Sequence, residues 1–336
     1  VSGANAIRPL DAAGVVELAV LERSGLIESR HLGAAVVVGP DGSVLRELGD
    51  SGAIVYPRSS LKPLQAMAVL RSGAPIDGER LALASASHAG TPRHVAVARD
   101  TLAAAGLDET ALQCPPDWPL DRDAAFDARS DGHDKRSITM NCSGKHASFL
   151  LACVHNGWSI DDYLEPSHPL QQLVRSTVED LTGESVRHAG TDGCGAPVFA
   201  LTLRGLAAGV GRIARTGLGS GAGSDADAAR LASAILANPW AIDGPGRPNA
   251  VVIERLGLIV KGGAEGVIVA AAPDGTAVAI KTLDGNNRAN TMVALELLGS
   301  VGAVDLPHAR AIAAELADPV LGRGLPVGSM RVSDLV

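Results

Sequence analysis

Ser59-Ser60-Leu61-Lys62 sets a hydroxyl three residues ahead of an amine, a spacing that puts both on one face of a helix. Leu61, Leu64, Met67 and Leu70 follow at roughly helical intervals. Pro63 is tolerated only in a first turn, so the helix is predicted to begin at about Ser59 or Ser60. Ser59 then sits at the positive end of the helix dipole, where a neutral lysine amine one turn on can take its proton. That lysine must be buried, or lie beside a second cation, to lose its charge near neutral pH. A helix-capping serine beside a solvated lysine gives the same pattern, so the weight of the motif depends on what the rest of the chain brings to it.

Three other segments could contribute. Lys261-Gly262-Gly263 ends a short apolar run from Leu258, and Ser87-His88-Ala89-Gly90 follows the apolar Leu81 to Ala86. Small residues in both let a ligand approach the backbone. The third is Asn141-Cys142-Ser143-Gly144-Lys145-His146, with Asp192-Gly193-Cys194-Gly195 farther on. Two cysteines, a histidine and a carboxylate suit zinc, but no C-x-x-C pair is present, and buried reduced thiols are the other reading.

The elements that must position these residues come from both ends of the chain. Strands are expected at Val15–Leu21, Gly33–Val38 and Ser43–Leu48, the last two joined by the turn Gly39-Pro40-Asp41-Gly42. Leu258–Lys261, Val267–Ala272 and Thr276–Leu283 repeat the theme around Pro273-Asp274-Gly275. Between them the pattern is helical. Thr91-Pro92 opens a helix that Gly106 closes, Phe149–Val154 stops at Asn156-Gly157, and Ser167 caps a helix ended by Gly183. Asp225–Leu236, Asn290–Leu298 and a final Pro307–Leu316 complete the set. Thr216–Ser224 is Gly/Ser-rich and reads as a flexible loop; no Lys-Ser/Thr follows to make it a phosphate cradle.

This predicts an α+β fold: one antiparallel sheet built from both chain ends, helices on its faces, and an inserted helical region. The whole of 1–336 is expected to be one domain, with the sheet from about 15–56 and 258–300 and the helical region over about 59–250. Serine β-lactamases and penicillin-binding proteins share this layout, carrying S-x-x-K on a buried helix, a Lys-x-Gly on a late strand and a second serine among the helices.

Hydrophobic residues make up 46% of the chain and aromatics only 2%, so aliphatic side chains must fill the core. A net charge of -8 and the lack of any Lys/Arg run argue against nucleic acid. No apolar stretch reaches the ~18 residues of a membrane span. Four dispersed cysteines are too few for a disulfide framework, and Val1-Ser2-Gly3 is not a signal peptide, so a cytoplasmic protein is expected.

Six motifs in order, YPRSSLKPLQ, SASHAG, NCSGKHASFL, TDGCGAPVFAL, KGGAEGV and DGNNRA, resemble the rhizobial-type (class 3) L-asparaginases. The resemblance implies a serine β-lactamase/glutaminase-like fold and hydrolysis of the L-asparagine side-chain amide. It implies two Ser–Lys pairs, Ser59 with Lys62 and Ser87 with Lys261, and an arginine, Arg58, before the nucleophile. It further implies Zn2+ held by Cys142, Lys145 and Cys194, with His146 and Asp192 beside metal and substrate, and a homodimer. Where the family reads a Gly-Arg-Phe-Asp-Thr-like segment, this chain has Gly246-Arg247-Pro248-Asn249-Ala250. The shared scaffold leaves a glutaminase or a β-lactamase-like amidase as alternatives, and that departure keeps open a catalytically weakened zinc-bound amino-acid binder.

Overall fold

The computed structural model describes residues 7–218 and 225–336. Strands β1 (Val16–Arg23) and β3 (Val44–Leu48) both pair antiparallel with the long β2 (Leu26–Val38), and β4 (Ile54–Val55) leads into the helical region. That region holds α1 (Lys62–Arg71), α2 (Gly78–Ala84), α3 (Pro92–Ala104), α4 (Arg122–Ser130), α5 (Ser143–Asn156) and α6 (Pro169–Thr182). The short strands β5 (Ala189–Thr191), β6 (Pro197–Phe199) and β7 (Leu201–Thr202) follow. Next come α7 (Leu203–Leu218), α8 (Ala226–Ala237), α9 (Pro239–Ile242) and α10 (Pro248–Leu256). The chain returns through β8 (Ile259–Gly263), β9 (Val267–Ala271) and β10 (Ala277–Thr282), then α11 (Asn290–Ser300), α12 (Leu306–Leu316), β11 (Val320–Gly322) and β12 (Leu325–Val332).

The main sheet runs β11-β12-β1-β2-β10-β9-β8, with β3 also on β2, and all its pairings are antiparallel. Early and late chain therefore meet in one sheet, in the α+β arrangement expected. Ile280 faces Ala35 and Lys261 faces Val269. Every residue of β9 is buried, which requires cover on both faces. α7 and α11 supply it, each packing on β9 and β10.

Three details depart from the sequence reading. The helix expected from Ser167 is capped by His168, whose Nδ1 accepts the Leu170 N–H at 3.1 Å. α5 begins at Ser143, six residues before the apolar run that signalled it. The sheet also continues past residue 300, because β12 pairs with β1, Ala19 opposite Val332. Of the Gly/Ser-rich stretch, Thr216 to Leu218 close α7 and the remainder lies outside the described residues. Among the described residues no helix is long and apolar enough to cross a membrane.

The core is aliphatic, as the composition demands. Three lysines are buried within it: Lys62, Lys145 and Lys261 are each 1% exposed. Lysine is almost never fully buried without a partner, so the fold must account for all three.

Candidate active site

Lys62 is the first residue of α1, a helix whose residues from Lys62 to Leu70 are all buried. Arg58–Leu61 precede it as a 3-10 turn, so the helical segment begins where Pro63 required. Ser59 lies in the first turn, where backbone N–H groups lack intrahelical acceptors. Arg58 has φ of 53°, a left-handed conformation costing about 1–3 kcal/mol for a side chain of this kind. Its Nε donates to Asp192 Oδ1 at 2.7 Å, and the ion pair is partly buried. The strained residue before Ser59 is thereby tied to the β5–β6 loop.

Lys62 Nζ donates to Ala86 O and, at 2.9 Å, to Ser87 Oγ. Lys261 Nζ reaches the same hydroxyl at 3.0 Å and its neighbour's carbonyl, Gly262 O, at 2.6 Å. Ser87 and Lys261, named as a pair from the sequence, are thus in contact, and Lys62 joins them on Ser87. Among the described residues no hydrogen bond joins Ser59 Oγ to Lys62. Ser59, Ser87 and Lys261 line one cavity of about 360 Å³. A cavity of about 550 Å³ between Arg8, Glu184, Arg187 and Thr202 is larger but holds no lysine.

Burial, reinforced by the charge of Lys62, lowers the Lys261 pKa to about 7; Asp243 opposes this. Lys261 therefore shares its proton with solvent near neutral pH. Asp243 is itself buried, which raises its pKa, while N–H donors from Asn249 (3.0 Å) and Ala250 (3.1 Å) pull the other way. Sequence reading missed Asp243. Its only signal was an acid ahead of the Gly244-Pro245-Gly246 turn. Arg247 and the altered Pro248 and Asn249 line the cavity, as do Asn287 and Asn290.

Cys142, Lys145 and Cys194 meet one another in the interior. Lys145 Nζ lies 3.1 Å from Cys194 Sγ. Hydrogen bonding from Cys142 draws the Cys194 thiol far down toward thiolate against its burial, with Lys145 helping. The same bond and burial push Cys142 up. Burial opposes the charge of Lys145, but the Cys194 and Cys142 sulfurs outweigh it and hold the lysine above its ordinary value. His146 Nδ1 is 2.8 Å from Tyr163 Oη, and its buried Nε2 has no hydrogen-bond partner among the described residues. Two thiols, one drawn to thiolate, beside a spare imidazole nitrogen suit a zinc ion. Lys145 can join them only after losing its proton. Among the described residues no three His, Cys, Asp or Glu side chains group as a metal site. Arg58, His146 and Asp192 do not line the cavity. The four cysteines form no disulfide.

Buried amines on a serine beside a cavity are an arrangement in which a hydroxyl can be activated for attack. Residues 19–332 match the L-asparaginase II family, so the chain belongs to that family and is an amidohydrolase of the asparaginase type, acting on a small molecule. The structure is similar to a β-lactamase from Mycobacterium bovis, at 16% identity and a TM-score of 0.42, over 85% of this chain and 95% of that one. It is also similar to a Bacillus glutaminase, at 13% identity and a TM-score of 0.37, over 80% of this chain and 90% of that one. Comparison with curated proteins gives no match.

Gly263 sets how closely β8 approaches the Ser59 turn. A Cβ there would lie 2.6 Å from Pro57 O and 3.2 Å from Ser60 N. Gly263→Ala is expected to force strand and turn apart and lower stability by about 1–3 kcal/mol. Gly262→Ala, whose methyl would have the Asn249 side chain as its nearest neighbour, at 3.4 Å, is the control. Equal melting temperatures for the two variants would contradict this account.

Proposed function

We propose that the protein hydrolyses the side-chain amide of L-asparagine to L-aspartate and ammonia through an acyl-enzyme on Ser59. The observation that carries the reading is the convergence of buried Lys62 and Lys261 on Ser87, in the cavity that Ser59 lines. Burial and the nearby charge of Lys62 make it harder for Lys261 to hold its proton, which is the condition for a neutral amine base.

Ser59 Oγ attacks the amide carbon as its proton passes to the Lys62–Ser87–Lys261 chain. The Ser59 N–H, at the start of its helical turn, stabilises the oxyanion, with a second donor from the Gly263–Ala264 backbone. The C–N bond breaks as the chain returns the proton to the leaving nitrogen, releasing ammonia. Water then adds to the ester, giving its proton to the same chain, and aspartate leaves as Ser59 regains its hydrogen. Zinc would be held by Cys142, Lys145 and Cys194, where it would supply fixed positive charge and tie the start of α5 to the β5–β6 loop. A cytoplasmic homodimer completes the proposal, supported by the family resemblance and by four buried thiols without a disulfide.

The test is ammonia release from asparagine and from glutamine, with nitrocefin hydrolysis alongside and the zinc content of the purified protein measured. Asparagine is expected to be the better amide substrate by kcat/KM, with about one zinc per chain. Faster glutamine turnover makes the protein a glutaminase, nitrocefin turnover a β-lactamase. Binding of asparagine without turnover makes it a binder, and full activity with no zinc removes the metal.

A further inference from the structure

We propose that Arg247 anchors the α-carboxylate of the substrate and restricts the cavity to amino acids whose α-carboxylate is free. The inference deepens the amidohydrolase reading and rests on it. Of the charged residues lining the cavity, two are cations and one is an acid. Lys261 is buried and engaged by Ser87 and Gly262. Asp243 is buried and takes the N–H groups of Asn249 and Ala250. Arg247 differs from both: it is exposed, and among the described residues no carboxylate lies within ion-pairing distance of its guanidinium. Asn141, Asn249, Asn287 and Asn290 surround the same space with neutral donors and acceptors. A carboxylate entering the cavity therefore meets one uncommitted cation, and a guanidinium is the group best shaped to bind it in two places.

The backbone is built to hold that side chain. Arg247 N donates to Gly244 O at 3.2 Å, closing a turn. Asp243 pins the residues just after it, through Asn249 and Ala250. Gly244 has φ of +138°, and a Cβ there would come within 2.9 Å of Arg247 Cδ and 3.0 Å of Ala89 Cβ. The arginine stem thus lies over a bare glycine, with its charged head free. An unmatched guanidinium held over a cavity with a buried nucleophilic system beneath it separates two tasks: one end of the ligand is bound by charge, the other is cut.

The experiment compares L-asparagine with L-asparagine α-amide, which keeps the scissile side chain and loses the α-carboxylate charge. Arg247→Leu is expected to raise KM for asparagine roughly 10- to 100-fold with kcat within about threefold, the signature of lost uniform binding. It is expected to leave KM for the α-amide unchanged, and Arg247→Lys should recover part of the loss. Calorimetric binding of L-aspartate, which needs no turnover, should weaken in parallel. Equal losses on asparagine and its α-amide, or an unchanged KM, overturn the proposal. Arg247-dependent aspartate binding without hydrolysis keeps the anchor and sinks the hydrolase reading, whereas no aspartate binding by the unmodified protein overturns the anchor.

Discussion

Replacing Ser59 with alanine is expected to cut ammonia release from asparagine by roughly four to six powers of ten, as for a lost nucleophile whose partners act as a unit. Melting temperature should change little, because Ser59 is only partly buried and its hydroxyl bonds no other described side chain. Ser87→Ala is the informative companion. Ser87 carries both lysine contacts, so its loss breaks the proton chain while leaving the attacking oxygen in place. The expected order is Ser59→Ala far below Ser87→Ala, with covalent labelling of Ser59 by a slow amide or ester substrate. Near-normal turnover by Ser59→Ala, with labelling at Ser87, would transfer the attack to Ser87.

Lys261→Met is expected to be both inactive and more stable. For activity, the pH profile of kcat/KM in the unmodified enzyme should rise through about 7 as Lys261 loses its proton. The variant should lose that limb along with some 10²–10⁴ of the rate. For stability, the folded-state pKa lies below the unfolded value of about 10.4, so the unfolded chain binds more protons between those values. Stability therefore rises with pH from about 7 to about 10 and is penalised below that window, on the order of a few kcal/mol. Methionine removes the penalty, so the melting temperature should rise most at pH 6 and least at pH 10. A variant that is equally stable at both pH values relative to the parent, or that keeps the limb near 7, would show that Lys261 does not titrate there.

The strands and helices with strong local punctuation were legible in the sequence. Pro273-Asp274-Gly275 and Gly39-Pro40-Asp41-Gly42 sit at turns with β10 and β3 after them, and Thr91-Pro92 opens α3. Elements whose stability comes from distant packing were not. α7 carries Gly205, Gly209, Gly211 and Gly217, which disfavour an isolated helix. It exists because it packs on β2, β9 and β10, so closely that a Cβ on Gly211 would stand 2.5 Å from Gly275 O. β12 reads Leu-Pro-Val-Gly-Ser-Met-Arg-Val, a weak strand alone, and is fixed by pairing with β1. At the site, Ser59 and Lys62 stood out by the spacing of a hydroxyl and an amine, whereas Ser87 and Lys261 stood out only by fitting the same scheme. Asp243 had no local signature, being an acid in a glycine-rich turn, and Arg247 entered only as part of the segment compared with the family pattern. What singles them out is the burial of one and, among the described residues, the lack of an ion-pairing carboxylate for the other.

The pairing of β1 with β12 has a bearing on how the chain is made. β1 emerges from the ribosome roughly 300 residues ahead of the strand that covers its outer edge. At ordinary synthesis rates of 5–20 residues per second, that edge stays open for about 15–60 s. Its middle, Leu18 to Leu21, is buried in the finished molecule, so during translation it is an apolar edge seeking a partner. The newborn protein thus passes through a period of vulnerability that ends only when the β12 segment arrives, and a message cut short before Leu325 would leave that period without an end.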